Sequence, residues 1–403
     1  MARVPGFALI TGADFIVRSA YQMGKTPLLP IFAAALGASD ILLGFIVSVS
    51  TLTGMVLKPL VGMLSDRWGR RVWLLLGTAF FAGMPFVYRF VHTPEQLFAL
   101  RLVHGMATAI YGPVTLAYVS ELSGKRRAER LGWFSMARNG GYVVGPAAAG
   151  LMLLTLDPVS VFTVVGILST AAFIPVLLLK EKVRGAGKKP PILSHAVSAL
   201  SAGARTPAVW LAGGLESTRT IGLYAAKAFL PVHAYAMGIS PGLVGAFFAV
   251  QESVHMLLNP LGGRIGDRLG HVRTIGLGMV VLGLAMAALT VARTGPALMV
   301  PAVLVGVAQA LVSPSSLALV SIRVAEGHVG LGMGLVGAMR NAGKVAGPVL
   351  AGLLIHWVDF ESTFRLIGLA LLSGGLLMLL RLHRWRSPMA HDRVASTAPA
   401  DRA

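Results

Sequence analysis

The chain contains no cysteine and few charged residues for its length. None of its 403 residues is Cys, and only 13% are Asp, Glu, Lys or Arg, against about 25% in an ordinary soluble domain. The absence of Cys excludes a disulfide framework, thiolate metal ligands and thiol catalysis. The low charge, together with 55% hydrophobic residues and a mean hydropathy of +0.74, indicates a membrane protein.

Acidic residues are scarcer than basic ones, and recognisable catalytic motifs are missing. The chain has 16 acidic and 35 basic residues, a net charge of +19. In a membrane protein this excess is typical of cytoplasmic loops, so we expect no nucleic-acid partner. We find no phosphate-binding loop, no metal-ligand spacing and no nucleophile with a matching base. The sequence therefore predicts no enzyme activity, no cofactor and no metal site.

Long apolar runs fill most of the chain. They are roughly 20 residues long, the length a helix needs to cross a hydrocarbon core of about 30 Å. Helices are expected because lipid offers no partner for backbone N–H and C=O groups. We predict an all-α polytopic membrane protein with twelve transmembrane helices. The predicted spans are 10–36, 41–64, 72–91, 95–121, 130–155, 159–180, 207–237, 241–264, 274–293, 296–322, 329–355 and 361–382.

Basic and acidic breaks alternate between these spans. Since Lys and Arg accumulate in cytoplasmic loops, the basic breaks and both termini are predicted to face the cytoplasm. We expect a multi-pass protein of the cell membrane, typical of a bacterial inner membrane. The basic breaks lie near 67–71, 125–130, 182–189, 268–273, 323 and 381–386, and the acidic ones near 40, 95, 157 and 359–361.

The second half of the chain repeats the first. At a shift of 201 residues Arg18 meets Arg219, and at 202 residues Arg138 meets Arg340. We predict two six-helix halves, 1–182 and 207–383, with a binding site between them near the midplane. A basic linker, 183–206, joins them, and a cytoplasmic tail, 384–403, is predicted to be disordered.

Several motifs carry a family resemblance. GMLSDRWGRR at 62–71 has a weaker copy, GRIGDRLGHVR, at 263–273, where Gly263, Asp267, Arg268 and Gly270 are retained. The chain resembles a major facilitator superfamily transporter over nearly its whole length. The resemblance implies the fold of that family, a loop motif, a fourth-helix motif and an antiporter-like motif. Their residues are Gly62, Asp66, Arg67, Gly69, Arg70 and Arg71; Arg101 and Gly105; and Gly141, Gly145, Pro146 and Gly150.

The polar cluster at 62–71 is predicted to be a gate. An Asp at the end of one helix can pair with Arg residues and with the N-terminal dipole of the next helix. The alternative is that the basic residues only orient the protein in the membrane. The predicted gating residues are Gly62, Asp66, Arg67, Gly69, Arg70, Arg71, Asp267 and Arg268.

Cationic side chains inside the predicted spans are candidate binding residues, because a charge at bilayer depth is costly unless it meets water or a partner. We predict a cavity that binds an anionic group through Arg18, Arg138, Arg219, Arg340, Asn139, Asn341 and Lys344. Other interpretations stay open. Lys25, Lys58 and Lys227 are near enough to helix ends to reach water. The arginines could pair only with carboxylates, namely Asp14, Glu216 and Glu252.

Glu252 is the best-placed acidic residue for carrying a coupling proton, with His255 three residues on as a relay. Glu252 as the partner of an arginine, and His255 bonded to a carbonyl, are the structural alternatives.

These features predict a secondary active transporter, and proton-coupled efflux of an amphipathic or anionic organic compound is favoured. Uptake or exchange of an organic anion is the alternative, and outside transport a membrane enzyme, a receptor or a structural membrane protein. The expected partners are a small-molecule substrate, protons and the lipid bilayer, and the expected state is a monomer.

Overall fold

The computed structural model describes residues 6–123, 126–180, 206–323 and 329–381. In this part of the chain the backbone forms fourteen α-helices and one short 3-10 turn, Tyr88–Phe90. The helices are α1 Gly6–Lys25, α2 Leu28–Ala35, α3 Asp40–Trp68, α4 Arg70–Val87, α5 Pro94–Ser123, α6 Arg127–Met152, α7 Pro158–Thr170, α8 Phe173–Leu177, α9 Pro207–Ala236, α10 Pro241–Leu269, α11 His271–Leu289, α12 Met299–Arg323, α13 Val329–Val358 and α14 Phe360–Arg381.

The twelve predicted spans are all present, but two of them are broken. The first span divides into α1 and α2 at Thr26–Pro27, and the sixth into α7 and α8 at Ala171–Ala172. Proline explains the second break, because Pro175 has no N–H to bond the carbonyl of Ala171. Bonds of the i to i−3 type replace the helical ladder there, from Ala171 to Leu168 and from Ala172 to Ser169.

The cluster at 62–71 is helical rather than a loop, which corrects the predicted boundaries. Helix α3 continues to Trp68 and α4 begins at Arg70, so Gly69 alone connects them. Gly69 has a φ of 89°, and Gly270 between α10 and α11 has a φ of 90°. Only glycine adopts this backbone conformation without a steric cost, so one residue suffices to end a helix. We call this side of the molecule the basic end.

The other side, the opposite end, also shows the repeat. The side chain of Ser39 accepts a hydrogen bond from the N–H of Leu42 and caps α3. Its equivalent Ser240 caps α10 through the N–H of Leu243. Such caps satisfy N–H groups that a helix leaves without partners.

Asp157 caps α7 at the same end. Its carboxylate accepts from the backbone N–H groups of Val159 and Ser160 and from the hydroxyl of Ser160. The hydroxyl of Ser160 is the largest of the influences that lower the pKa of Asp157, followed by its N–H. The cap is therefore charged at neutral pH.

Eight helical segments within the described residues are long and apolar enough to cross a membrane, by length and composition. They comprise α3, α4, α5, α7 with α8, α10, α11, α12 and α14. The remaining predicted spans are α1 with α2, α6, α9 and α13. These carry Arg18, Arg138, Arg219 and Arg340. They also pack in pairs, α1 on α6 and α9 on α13.

Between the halves, α3 packs on α13 and α6 packs on α10. Glycines make both contacts close, and they are equivalent in the repeat. A Cβ on Gly44 would overlap the carbonyl oxygen of Pro348, and one on Gly150 would lie 2.6 Å from the carbonyl oxygen of Pro241. The hydroxyl of Ser48 also donates to the carbonyl of Val345 at 2.8 Å. We call these contacts the seal, and they lie toward the opposite end.

Burial along the helices shows where the two halves separate. On α3, residues 43–50 are buried except Phe45, whereas beyond Gly54 only Val61 and Ser65 are buried. Met136 on α6 is 55% exposed and Met333 on α13 is 37% exposed, both toward the basic end. The close contacts between the halves therefore lie at the opposite end, and α3 is less buried toward the basic end. Apart from Thr206, the predicted linker lies outside the described residues, as does the whole predicted tail.

Candidate substrate-binding cavity

A cavity of about 260 Å³ lies between the halves, where α6 faces α9, α10, α12 and α13. Its size is just below the roughly 300–1,000 Å³ of sites for drug-sized ligands, so it fits a small solute. Five cationic side chains and one carboxylate line it. The lining residues are Arg138, Asn139, Tyr142, Arg219, Thr220, Leu223, Tyr224, Lys227, Glu252, His255, Gln309, Ser313, Arg340 and Lys344.

Most of the predicted site residues meet in this cavity. Of the seven predicted binding residues, the structure brings five to its wall, and Glu252 and His255 lie there too. Arg18 and Asn341 are not among the lining residues. The guanidinium of Arg18 lies 5.8 Å from the ring centroid of Tyr142, which is a residue of the wall. The binding roles remain predictions, whereas the placement is a property of the fold.

Arg138 is held by a buried carboxylate. Its Nε and Nη2 donate to the two oxygens of Asp14 at 2.9 and 2.8 Å, and Nη2 also donates to Thr115 at 3.0 Å. The side chain of Asp14 is only 1% exposed. The bidentate contact of Asp14 thus goes to α6, while Arg18, four residues further along α1, interacts with the same carboxylate through its charge.

Arg219 forms the corresponding pair in the second half, but within one helix. Its Nη2 donates to Glu216 at 2.7 Å, and Nη1 donates to Gln309 at 3.4 Å. Both charged side chains are nearly fully buried. The pair agrees with the spacing of three residues in the sequence.

Lys227 and Glu252 form a third pair, at 2.9 Å. Glu252 also accepts from Gln251 at 3.2 Å and lies 3.4 Å from Nδ1 of His255. Glu252 therefore pairs with a lysine rather than with an arginine, and His255 contacts a carboxylate rather than a carbonyl. Lys227 turns inward and does not reach toward the membrane surface.

Two cations of the wall have no carboxylate partner among the described residues. They are Arg340 and Lys344, one turn apart on α13. The Nε atom of Arg340 is buried and has no hydrogen-bond partner. Lys344 lies over the ring of Tyr224, 5.6 Å from its centroid. Such a contact is attractive but leaves the positive charge uncompensated.

Tyr224 is close to three ammonium groups. Lys227 and Lys25 lie 5.4 and 5.5 Å from its ring centroid, beside Lys344. Lys25 also donates to the hydroxyl of Thr51 at 3.4 Å, so it too faces the interior.

Arg101 of the fourth-helix motif lies away from the cavity. It is 1% exposed and donates to the hydroxyls of Tyr88 and Ser50. Gly105 permits close packing of α5 on α3, since a Cβ there would lie 2.6 Å from Cβ of Thr53. The motif therefore stabilises the first half.

At the basic end, Arg70 binds two carboxylates from different helices. It pairs with Asp66 on α3 and with Glu121 on α5, the latter at 3.1 Å, and donates to Ser65 at 2.6 Å. We call this set the α3–α5 cluster. In the weaker copy, Asp267 is 74% exposed and lies 3.9 Å from His271.

The antiporter-like motif packs α6 against its neighbours. A Cβ on Gly141 would lie 2.9 Å from Cγ of Arg18, and one on Gly145 would lie 2.6 Å from Cβ of Gln22. Gly150 belongs to the seal. The motif thus fixes the distance of α6 from α1 and α10.

The sequence prediction missed several residues. Glu121, Tyr142 and Tyr224 are absent from it, as are the neutral polar residues Gln309 and Ser313. A signal existed for some of them. Tyr142 is the repeat equivalent of Lys344, and Gln309 interrupts an otherwise apolar run.

Comparison with known proteins agrees with this architecture. The family model described as Major Facilitator Superfamily matches residues 15–219 and 217–401. An uncharacterised MFS-type transporter, MJ1560, of Methanocaldococcus jannaschii is 24% identical over 94% of this chain and 96% of its own length. Multidrug resistance protein 1 of Bacillus subtilis is 22% identical over 92% and 93%.

A solved structure has the same fold. The crystal structure of the nucleoside transporter NupG superposes with a TM-score of 0.81 at 13% identity, covering 93% of this chain and 99% of that one. With the family match over nearly the whole chain, the conclusion is that this chain belongs to the Major Facilitator Superfamily and is a multi-pass membrane transporter, not an enzyme.

Proposed function

We propose that the protein exports a small organic anion, with the cavity between α6 and α13 as its binding site. The observation that carries this proposal is the surplus of positive charge on the wall, five cations against one carboxylate. Buried charges are costly unless paired, so a surplus of cations on the wall favours an anionic ligand. Tyr142, Leu223 and Tyr224 supply apolar surface for an organic body.

Three of the five cations have protein partners, and this separates their roles. Arg138, Arg219 and Lys227 are held by carboxylates, so they shape the wall. Arg340 and Lys344 remain available to bind the ligand. A planar guanidinium binds a carboxylate, sulfonate or phosphate through two parallel hydrogen bonds.

Export as the direction rests on similarity. One full-length relative is named a multidrug resistance protein, and the glycine motif of α6 resembles that of antiporters. The excess of basic residues at the basic end supports a cytoplasmic location for it. A cavity open at that end would then receive solute from the cell interior.

Uptake of an anion together with protons is the second candidate, and the contact between Lys227 and Glu252 favours it. A proton on Glu252 would release Lys227, which would then attract an anion. Proton and anion would bind cooperatively, as cotransport requires. His255, 3.4 Å from Glu252, could relay the proton.

Flux through proteoliposomes tests both candidates. The probes are 2-naphthalenesulfonate and a naphthyltrimethylammonium ion, which have similar apolar bodies and permanent charges of opposite sign. We expect the sulfonate to be carried and the ammonium ion to be excluded. Transport of the ammonium ion without the sulfonate would refute the anion proposal. A pH gradient in each direction separates the candidates, since cotransport accumulates the anion only on the alkaline side.

A further inference from the structure

The charge balance of the cavity indicates the number of negative charges on its ligand as well as their sign. Each of the three carboxylates in contact with the wall neutralises one cation: Asp14 with Arg138, Glu216 with Arg219, and Glu252 with Lys227. Two further basic side chains of the wall, Arg340 and Lys344, have no carboxylate partner among the described residues. We propose that the cavity binds an organic anion with two negative charges on one head group, such as a phosphate monoester. This inference rests on the proposed function and deepens it.

The geometry brings both charges to one point. Arg340 and Lys344 are four residues apart on α13, so their Cβ atoms lie about 5–6 Å apart on the same face. Both line the same cavity. Arg340 makes no ion pair with a carboxylate among the described residues, so its guanidinium retains N–H donors for a ligand oxygen in the cavity. A tetrahedral dianion between these side chains can accept from the guanidinium and from the ammonium group at once.

Two further cations, Lys25 and Arg18, lie beside tyrosines of the wall and favour a second negative charge on the ligand. Lys25 lies 5.5 Å from the ring centroid of Tyr224 and Arg18 lies 5.8 Å from that of Tyr142. Lys25 has no carboxylate partner among the described residues, and Arg18 shares the charge of Asp14 with Arg138. Both tyrosine rings belong to the cavity wall. A ligand with a single charge would leave this region strongly positive, in surroundings where an uncompensated charge is costly.

Comparison of the two repeats indicates that only the second half supplies unpaired cations to the anion site. Arg138 is the equivalent of Arg340, but its Nε and Nη2 atoms already donate hydrogen bonds to Asp14. Tyr142 is the equivalent of Lys344 and carries no charge. The head group therefore binds to α13 of the second half, and α6 of the first half contributes Tyr142 as a contact for the organic body.

Phenyl phosphate and phenyl sulfate form the test pair. They share an aryl ring, an ester oxygen and a tetrahedral head group, but at about pH 7.5, above the second pKa of a phosphate monoester at about 6, only the phosphate is largely divalent. Binding to the purified full-length protein is measured by calorimetry. We expect phenyl phosphate to bind at least about tenfold more tightly, which is the scale of one close charge pair.

Variants assign this preference to the site. In Lys344→Gln the advantage of the phosphate should fall to about threefold or less while phenyl sulfate still binds, and Lys344→Arg should retain most of it. Arg293→Gln removes a cation from an exposed ion pair with Glu361 at the opposite end and should leave both affinities unchanged. Thermal unfolding establishes that each variant is folded.

The outcomes are distinct. Equal affinity for the two ligands would overturn the proposal of a divalent head group but would not contradict the proposed anion transport. A tenfold preference that persists in folded Lys344→Gln would overturn the assignment to α13. Failure of both ligands to bind would contradict the anion cavity itself and, with it, the proposed function.

Discussion

Arg138 and Arg340 occupy equivalent positions in the repeat but have different surroundings. Arg138 is bound by Asp14 through two hydrogen bonds, whereas Arg340 has no carboxylate partner among the described residues and a buried Nε without a hydrogen bond. One arginine is therefore part of the protein framework, and the other is available to a ligand. We therefore expect different functions at these two equivalent sequence positions.

This difference predicts opposite responses to neutralisation. Arg138→Gln leaves Asp14 buried without its partner and should lower the free energy of unfolding by about 3 kcal/mol, as for other broken buried pairs. Asp14→Asn with Arg138→Gln removes both charges and should recover most of this loss. Lys344→Gln, which breaks no ion pair, serves as the control. Thermal unfolding in detergent measures all three, and an Arg138→Gln protein as stable as Lys344→Gln would contradict the assignment.

At this scale the sequence identified the charged residues but not their pairing. The pairing of Arg219 with Glu216 could be read from their spacing on one helix. The contact of Asp14 with Arg138 spans 124 positions and depends on how α1 packs on α6, which no local pattern encodes. The same holds for Glu121, which meets Arg70 only because α5 lies beside α4.

Among the helices, the seal between the two halves depends on glycine. Gly245 faces the carbonyl oxygen of Pro146 and lies against Gly150. A side chain there cannot be accommodated without moving α6 away from α10. Gly245→Val should therefore shift the protein toward a conformer whose opposite end is open.

Because the chain has no Cys, labels can be placed at two chosen positions. Ala35→Cys and Ala236→Cys are exposed, equivalent in the repeat and located at the opposite end. We expect a longer spin-label distance between them in Gly245→Val than in the parent. Gly83→Val is the matched control, since a Cβ there meets no atom within 4 Å. An unchanged distance in a folded Gly245→Val protein would refute the seal.

The α3–α5 cluster gives a second prediction at the scale of elements. Arg70 joins the end of α3 to the end of α5 through Asp66 and Glu121. If this contact acts in gating, Glu121→Gln and Asp66→Asn should each slow transport of 2-naphthalenesulfonate, by about tenfold, with little change in its affinity. Asp267→Asn, whose side chain is 74% exposed, should have a weaker effect. Parent rates in both variants would leave the cluster with an orienting role only.

The boundaries of the helices were predictable to within a few residues, because apolar length and turn residues are local properties. Two features were not. Gly69 ends one helix and begins the next without a loop, and Pro175 interrupts the sixth span. Both effects come from backbone stereochemistry at a single residue, which an average over an apolar run conceals.

Over the whole molecule, the orientation follows from the distribution of basic residues. It predicts that the basic end and the linker face the cytoplasm. Cys introduced at Gly187 should resist an impermeant thiol reagent in intact cells and react after lysis, whereas Cys at Ala236 should react from outside. External labelling of Gly187→Cys, with protection of Ala236→Cys, would reverse the orientation and with it the proposed direction of access.

The whole molecule has a cavity between two halves, a seal at one end and a surplus of cationic side chains on α13. The first was predicted from the repeat in the sequence, whereas the seal rests on close glycine contacts that only the packed helices show. The third depends on which cations are already paired, and this is a property of the folded structure alone. For that reason we propose Arg340 and Lys344, of the seven predicted binding residues, as the primary anion contacts.

The most direct test of the central claim locates a bound anion. 4-Bromobenzenesulfonate is added to crystals of the full-length protein, and the anomalous signal of bromine is measured. We expect an anomalous bromine peak inside the cavity near Tyr142 and Tyr224, with the sulfonate density beside Arg340 and Lys344. A peak elsewhere, with this cavity empty while the same compound is transported, would contradict it.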